Sequence, residues 1–107
     1  MTQISTRRAL VTGGSSDIGG AICRALGAQG LHVIVHANGN LARAEAVRDA
    51  IVADGGSAEA VAFDVTDGDA ARAALTTLLE TGPIQIVVNN AGIHDDAPMA
   101  GMSEDKW

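Results

Sequence analysis

Short, almost unbroken apolar runs alternate along this chain with longer stretches in which apolar residues recur every three or four positions. These two periods distinguish buried strands from amphipathic helices. The first strand is predicted over 8–12, carrying Ala9, Leu10 and Val11, and the first helix over 17–29, with Ile18, Ile22 and Leu26 on one face and Gly30 as a left-handed stop. A second strand over 31–35 is apolar except for His32, the composition of a strand buried on both faces. Residues 36–40 read as a polar loop, and Asn40 caps a helix over 41–53 whose inner stripe is Ala44, Val47 and Ile51. After a turn at 54–57, a third strand runs over 58–64 with Val61 and Phe63 on one face. The third helix, 69–81, is anchored by Leu75, Leu78 and Leu79 and ended by Gly82 and Pro83. A fourth apolar strand covers 84–89, and 91–107 reads as a loop leading to another helix, with Ser103 as its cap.

The order βαβαβαβ implies right-handed crossovers and a parallel sheet with helices on both faces. No internal boundary interrupts it, so 1–107 is read as one domain. The fourth strand would be a long apolar edge, which folded proteins avoid, so a further strand is expected beside it. Taken alone, half of such a sheet should be marginally stable.

Composition narrows the class. The chain is 47% hydrophobic and 19% charged, within the range of folded globular proteins and outside that of disordered ones. Only Phe63 and Trp107 are aromatic, so burial rests on Val, Ile, Leu and Ala. A formal charge of -6 argues against nucleic acid as a partner, because that affinity is built on an excess of Lys and Arg. Any bound phosphate must then be held by local backbone groups. Cys23 is the single cysteine, which excludes an intrachain disulfide and points to the reducing cytoplasm. No apolar run approaches the roughly 18 residues that would span a membrane.

The chemistry begins at 12–19, TGGSSDIG, directly after a strand and opening a helix. Gly13 permits a tight turn, and the backbone amides of Ser15, Ser16, Asp17 and Ile18 can face a pyrophosphate at the positive end of the helix dipole. Gly19 lets the helix approach the sheet closely. A plain strand-to-helix turn also uses glycines, so the loop gains weight from the next strand ends, where ligands of open parallel sheets bind. Asp64 and Val65 follow the third strand, where the carboxylate can accept from an adenine amino group or simply cap the next turn. Asn89, Asn90, Ala91 and Gly92 follow the fourth, either tying strand ends together beside a ribose or forming an Asn-rich loop.

With ALVTGGSSDIGGAI from Ala9, AFDVTD from Ala62, GPIQIVVNNAGI from Gly82 and the closing MSEDKW, the chain resembles the short-chain dehydrogenase/reductase family over essentially its whole length. Within that family it is similar to the β-ketoacyl-acyl-carrier-protein (3-oxoacyl) reductases. The resemblance implies a doubly wound Rossmann-type sheet of order 3-2-1-4. It implies that Gly13, Gly14, Ser15 and Ser16 meet the cofactor's phosphates and adenosine ribose, that Asp64 and Val65 flank adenine, and that Asn90 lies near the nicotinamide-side ribose. The chain departs from the family at Asp17, where glycine is usual. A carboxylate there repels a pyrophosphate unless it turns to solvent or caps the helix.

No carboxylate stands in 36–40 to accept ribose hydroxyls or repel a 2'-phosphate, so NADP(H) is favoured over NAD(H), with His36 and Asn38 as candidate phosphate donors. The alternative for His36 is a solvated loop residue. The family's catalytic Ser, Tyr and Lys all follow NNAG, and this chain contains no tyrosine, so no catalytic residue and no metal ligand is assigned. Ser103, His94 and Asp95 read as capping and solvated loop residues. The expectation is therefore the cofactor-binding half of a reductase of 3-oxoacyl or similar carbonyl substrates, a dimer or tetramer when intact. The alternative is a non-catalytic nucleotide-binding module whose fourth strand pairs with a partner chain.

Overall fold

The computed structural model describes residues 7–90. They form a four-stranded parallel sheet in the order β3-β2-β1-β4, from β1 (Arg8–Thr12), β2 (His32–Ala37), β3 (Ser57–Ala62) and β4 (Ile86–Asn89). The intervening helices are α1 (Asp17–Ala28), α2 (Leu41–Ala53) and α3 (Gly68–Leu79). This is the doubly wound Rossmann-type order, and it places the carboxyl ends of all four strands along one rim.

Side-chain alternation divides the core in two. Val11, Val33, Val35 and Ala37 pack with Cys23 of α1 and with Ala44 and Ile51 of α2. On the other face Leu10 and Ile34 meet Leu78 of α3, with Val61, Leu75 and Ile84 against them. Where α1 and α2 cross, Gly27 faces Ile51 so closely that an added Cβ would stand 2.8 Å from Ile51 Cγ2. Each helix starts on a side-chain cap: Ser16 accepts from Gly19 N–H, Asn40 from Arg43 N–H and Asp67 from Ala70 N–H. Gly30 ends the α1 segment at φ +91, the left-handed stop its position implies.

Several expectations are corrected. His36 does not lie in a polar loop. It is paired within β2, opposite Val61 of β3, and is fully buried. The apolar run ends at Val35, but the ladder continues through His36 and Ala37 because the ring's polar atoms find partners inside the protein. Ile18, expected on the inner face of α1, is 69% exposed at the rim, and Leu79 is exposed at the end of α3. β3 closes at Ala62 and β4 opens at Ile86, so Asp64 lies beyond its strand and Ile84 packs into the core from a loop. Among the described residues β4 is an edge, and its Val87 is 56% exposed on the α3 face. No helix among the described residues is long and apolar enough to cross a membrane. The predicted helix after Ser103 lies outside the described residues.

Candidate functional site: a glycine loop at the carboxyl rim

The loop from β1 to α1 is fixed by its own hydrogen bonds. Gly13 takes φ +66, a value that favours glycine, and turns the chain so that Gly14 N–H donates to Val11 O at 3.2 Å and Ser16 N–H to Gly13 O at 3.1 Å. The Ser16 hydroxyl accepts from Gly19 N–H at 3.0 Å and donates to Gly13 O at 2.9 Å. Gly20 N–H is taken by Ser16 O. Among the described residues this leaves the amides of Ser15, Asp17 and Ile18 without an acceptor in the loop, at the positive end of α1. These amides are available to an acceptor from outside the loop. Ser16 N–H, expected to be among them, is spent within the turn.

Gly19 shows how tightly the loop lies on its helix. A Cβ there would fall 2.2 Å from Gly13 O, 2.8 Å from Gly14 Cα and 2.9 Å from Asn90 Nδ2. Only a residue without a side chain closes this cradle. Asn90, 74 residues from Ser16, donates through Nδ2 to Gly13 O and to the Ser16 hydroxyl, both at 3.2 Å, and its N–H donates to Thr12 Oγ1 at 3.0 Å. Thr12 Oγ1 in turn lies 3.1 Å from Asn89 Oδ1. The two asparagines therefore tie the end of β4 to the loop, the first of the two readings of NNAG. Ala91 and Gly92 lie outside the described residues.

At the neighbouring strand ends, Asn38 Oδ1 accepts from Val65 N–H at 3.0 Å, joining the segments after β2 and β3. Asp64 Oδ1 accepts from the hydroxyl of Thr66 at 2.6 Å and from its amide at 2.8 Å. Those bonds, the hydroxyl first, hold the Asp64 carboxyl below its ordinary range. The turn-capping role of Asp64 is thus realised by one oxygen. His36 differs from expectation in kind. Its Nδ1 accepts from Gly13 N–H at 2.9 Å and its Nε2 lies 2.7 Å from Phe63 O, with the two rings 4.3 Å apart. The ring is therefore the neutral Nε2–H tautomer, and burial lowers its basicity further. No ring nitrogen remains to donate to a phosphate, and the expected direct contact is corrected on that ground.

Asp17 is exposed, and the helix cap is Ser16. Asp17 lines an open groove of about 420 Å³ with Ser15, Ser16, Arg24 and Val47, so a cationic side chain borders the same groove as the carboxylate. Ala37, Asn38, Gly39 and Asn40 bring no carboxylate to the end of β2. Among the described residues no cluster of ligating side chains suits a metal ion. A glycine cradle, three unpaired amides and a rim free of carboxylate at β2 fit a dinucleotide diphosphate.

Sequence reasoning missed Thr12 and Cys23. The hydroxyl at a strand end before a glycine turn is a faint signal for the first. Cys23 packs beneath the loop, where a Cβ on Gly14 would lie 2.9 Å from its Sγ. Burial raises its thiol pKa to about 11. Iodoacetamide at mildly alkaline pH is expected to leave Cys23 unmodified in the native protein and to label it on denaturation. Peptide mass mapping reads this out, and rapid native labelling would show that the layer under the loop opens.

The model of the short chain dehydrogenase family matches residues 7–107. A 3-oxoacyl-(acyl-carrier-protein) reductase of Synechocystis sp. is 39% identical over the whole chain, which covers 44% of that protein. A gluconate 5-dehydrogenase of Gluconobacter oxydans is 35% identical over 97% of this chain and 41% of its own length. Among solved structures, a metagenomic short-chain oxidoreductase in complex with NADP superposes with a TM-score of 0.79 at 41% identity, over 84% of this chain and 41% of that one. The chain thus spans less than half the length of these relatives. The glycine loop, the asparagine lacing and the strand order fall within that match, and the chain belongs to the short chain dehydrogenase family of oxidoreductases.

Proposed function

We propose that these residues are the dinucleotide-binding part of an NADP(H)-dependent oxidoreductase that reduces a carbonyl of 3-oxoacyl type to a hydroxyl. One observation carries the reading: the amides of Ser15, Asp17 and Ile18 have no acceptor at the start of α1, and the end of β2 brings no carboxylate. Those amides, with Gly13 and Gly14 giving close backbone approach, hold the diphosphate. Asn38 and the backbone at 37–39 border the adenosine ribose and leave a 2'-phosphate unopposed, while Asp64 and Val65 flank the adenine. Asn90 lies on the nicotinamide side. When bound, the dinucleotide supplies the hydride that converts the carbonyl to a hydroxyl. The chain has no tyrosine, and none of its residues is assigned the proton of the new hydroxyl.

The NADP-bound solved relative supports the cofactor class, and the 3-oxoacyl reductase relative supports the substrate class. The lone Cys23 accords with a cytoplasmic protein. Titration of the natural protein by nucleotide fluorescence is expected to give at least tenfold tighter binding of NADPH than of NADH. Turnover of a 3-oxoacyl thioester should exceed that of a keto-sugar acid. Tighter NADH binding overturns the cofactor choice, and preference for the sugar acid overturns the substrate class.

A further inference from the structure

We propose that His36 is the positioning residue of the glycine loop, holding Gly13 through an N–H···N hydrogen bond so that the loop is set for the dinucleotide before it arrives. This rests on the cofactor reading above. Gly13 is the first residue after β1 and sits at φ +66, where the chain could turn several ways. Its amide donates to His36 Nδ1, 23 residues on and fully buried. The same ring donates through Nε2 to Phe63 O, at the start of the segment after β3. His36 thus joins three successive strand ends, and the outward amides of Ser15, Asp17 and Ile18 follow from the direction Gly13 is given.

The ring fills this role only when neutral, because a proton on Nδ1 would set one N–H against another. The surroundings keep it so. Just beyond β1 the ring meets the backbone of Gly13, and it lies beside the uncharged Val61 of β3 and, just beyond that strand, Phe63. α3 offers this face of the sheet Leu75 and Leu78. The charged group nearest in sequence to Phe63, Asp64, is exposed and held by Thr66.

Two variants separate positioning from bulk stability. In His36→Asn the amide oxygen occupies the place of Nδ1 and keeps an acceptor for Gly13, while the link to Phe63 is lost. In His36→Gln the amide nitrogen occupies the place of Nε2 and keeps the donor to Phe63, while the acceptor for Gly13 is lost. Each forfeits one buried hydrogen bond, so a merely structural role lowers both melting temperatures alike and moves nucleotide affinity equally. The expected result, measured by NADPH fluorescence on the natural protein, is an affinity within about threefold of wild type for His36→Asn and at least tenfold weaker for His36→Gln. Equal affinities in the two variants, or the reverse order, overturn the role. A wild type that binds neither NADPH nor NADH overturns the cofactor reading and the role with it. Should His36→Gln fail to fold, the wild type decides: a through-bond nitrogen–nitrogen coupling between the Gly13 amide and His36 Nδ1 is expected by NMR, and its absence overturns the proposal.

Discussion

Gly19→Ala is expected to lower NADPH affinity by at least about a hundredfold, a loss of about 2.7 kcal/mol. The added methyl carbon would stand 2.2 Å from Gly13 O and 2.8 Å from Gly14 Cα, and both obstacles are backbone. Overpacking in a core that can shift side chains costs about 1–3 kcal/mol. Here the helix or the loop itself has to move, and movement of Gly13 also strains the Asn90 and His36 bonds that end on it. Gly20→Ala is the matched control. Its Cβ would find Gly14 O and Val47 Cγ2 at 3.6 Å, ordinary contact distance, and alanine in a helix gains up to about 1 kcal/mol over glycine. Gly20→Ala should therefore melt at or above the wild-type temperature and bind NADPH normally. Retention of affinity within threefold by Gly19→Ala would show that the loop is not pinned against α1.

The second large effect lies at the opposite end of the strands. Arg8→Met should reduce unfolding free energy by about 2–4 kcal/mol in urea denaturation, with NADPH affinity unchanged in the folded fraction. Arg8 is buried at the start of β1, and its Nη1 donates to Leu78 O in the last turn of α3 at 2.8 Å and to Gly82 O in the turn that follows at 2.5 Å. Without the guanidinium Gly82 O loses this donor and Leu78 O keeps only the Thr81 hydroxyl and the backbone amides of the turn, and hydrogen bonds to a charged donor are worth about 1.5–3 kcal/mol each. The ion pair to Glu59, at 3.4 Å with the carboxylate 39% exposed, contributes little because solvent screens it. Glu59→Gln is accordingly expected to cost under about 1 kcal/mol. A loss in Glu59→Gln equal to that in Arg8→Met would place the stabilisation in the ion pair instead.

Much of this was legible in the chain. The glycine turn, the helix cap at Asn40, the stop at Gly30 and the buried strands all depend on residues within a few positions of one another. The rim followed too, since alternation of strand and helix places the strand ends together. Illegible were the bonds that span the sheet. His36 looked like the start of a loop because a polar ring interrupts an apolar run, and nothing nearby in sequence announces that Gly13 and Phe63 will satisfy it. Arg8 reads in the sequence only as the first residue of a strand, and its acceptors lie 70 and 74 residues away.

The sequence alone determined the periods, the turns and the place where a diphosphate can sit, because those follow from backbone sterics and local hydrogen bonding. Only the tertiary structure decided which loop amides stay unpaired, how Asp64 and Asn38 are committed, and that His36 faces inward. Register across β1, β2, β3 and β4 sets which polar atoms meet at the rim. A buried polar group is stable only where such a meeting supplies its partner.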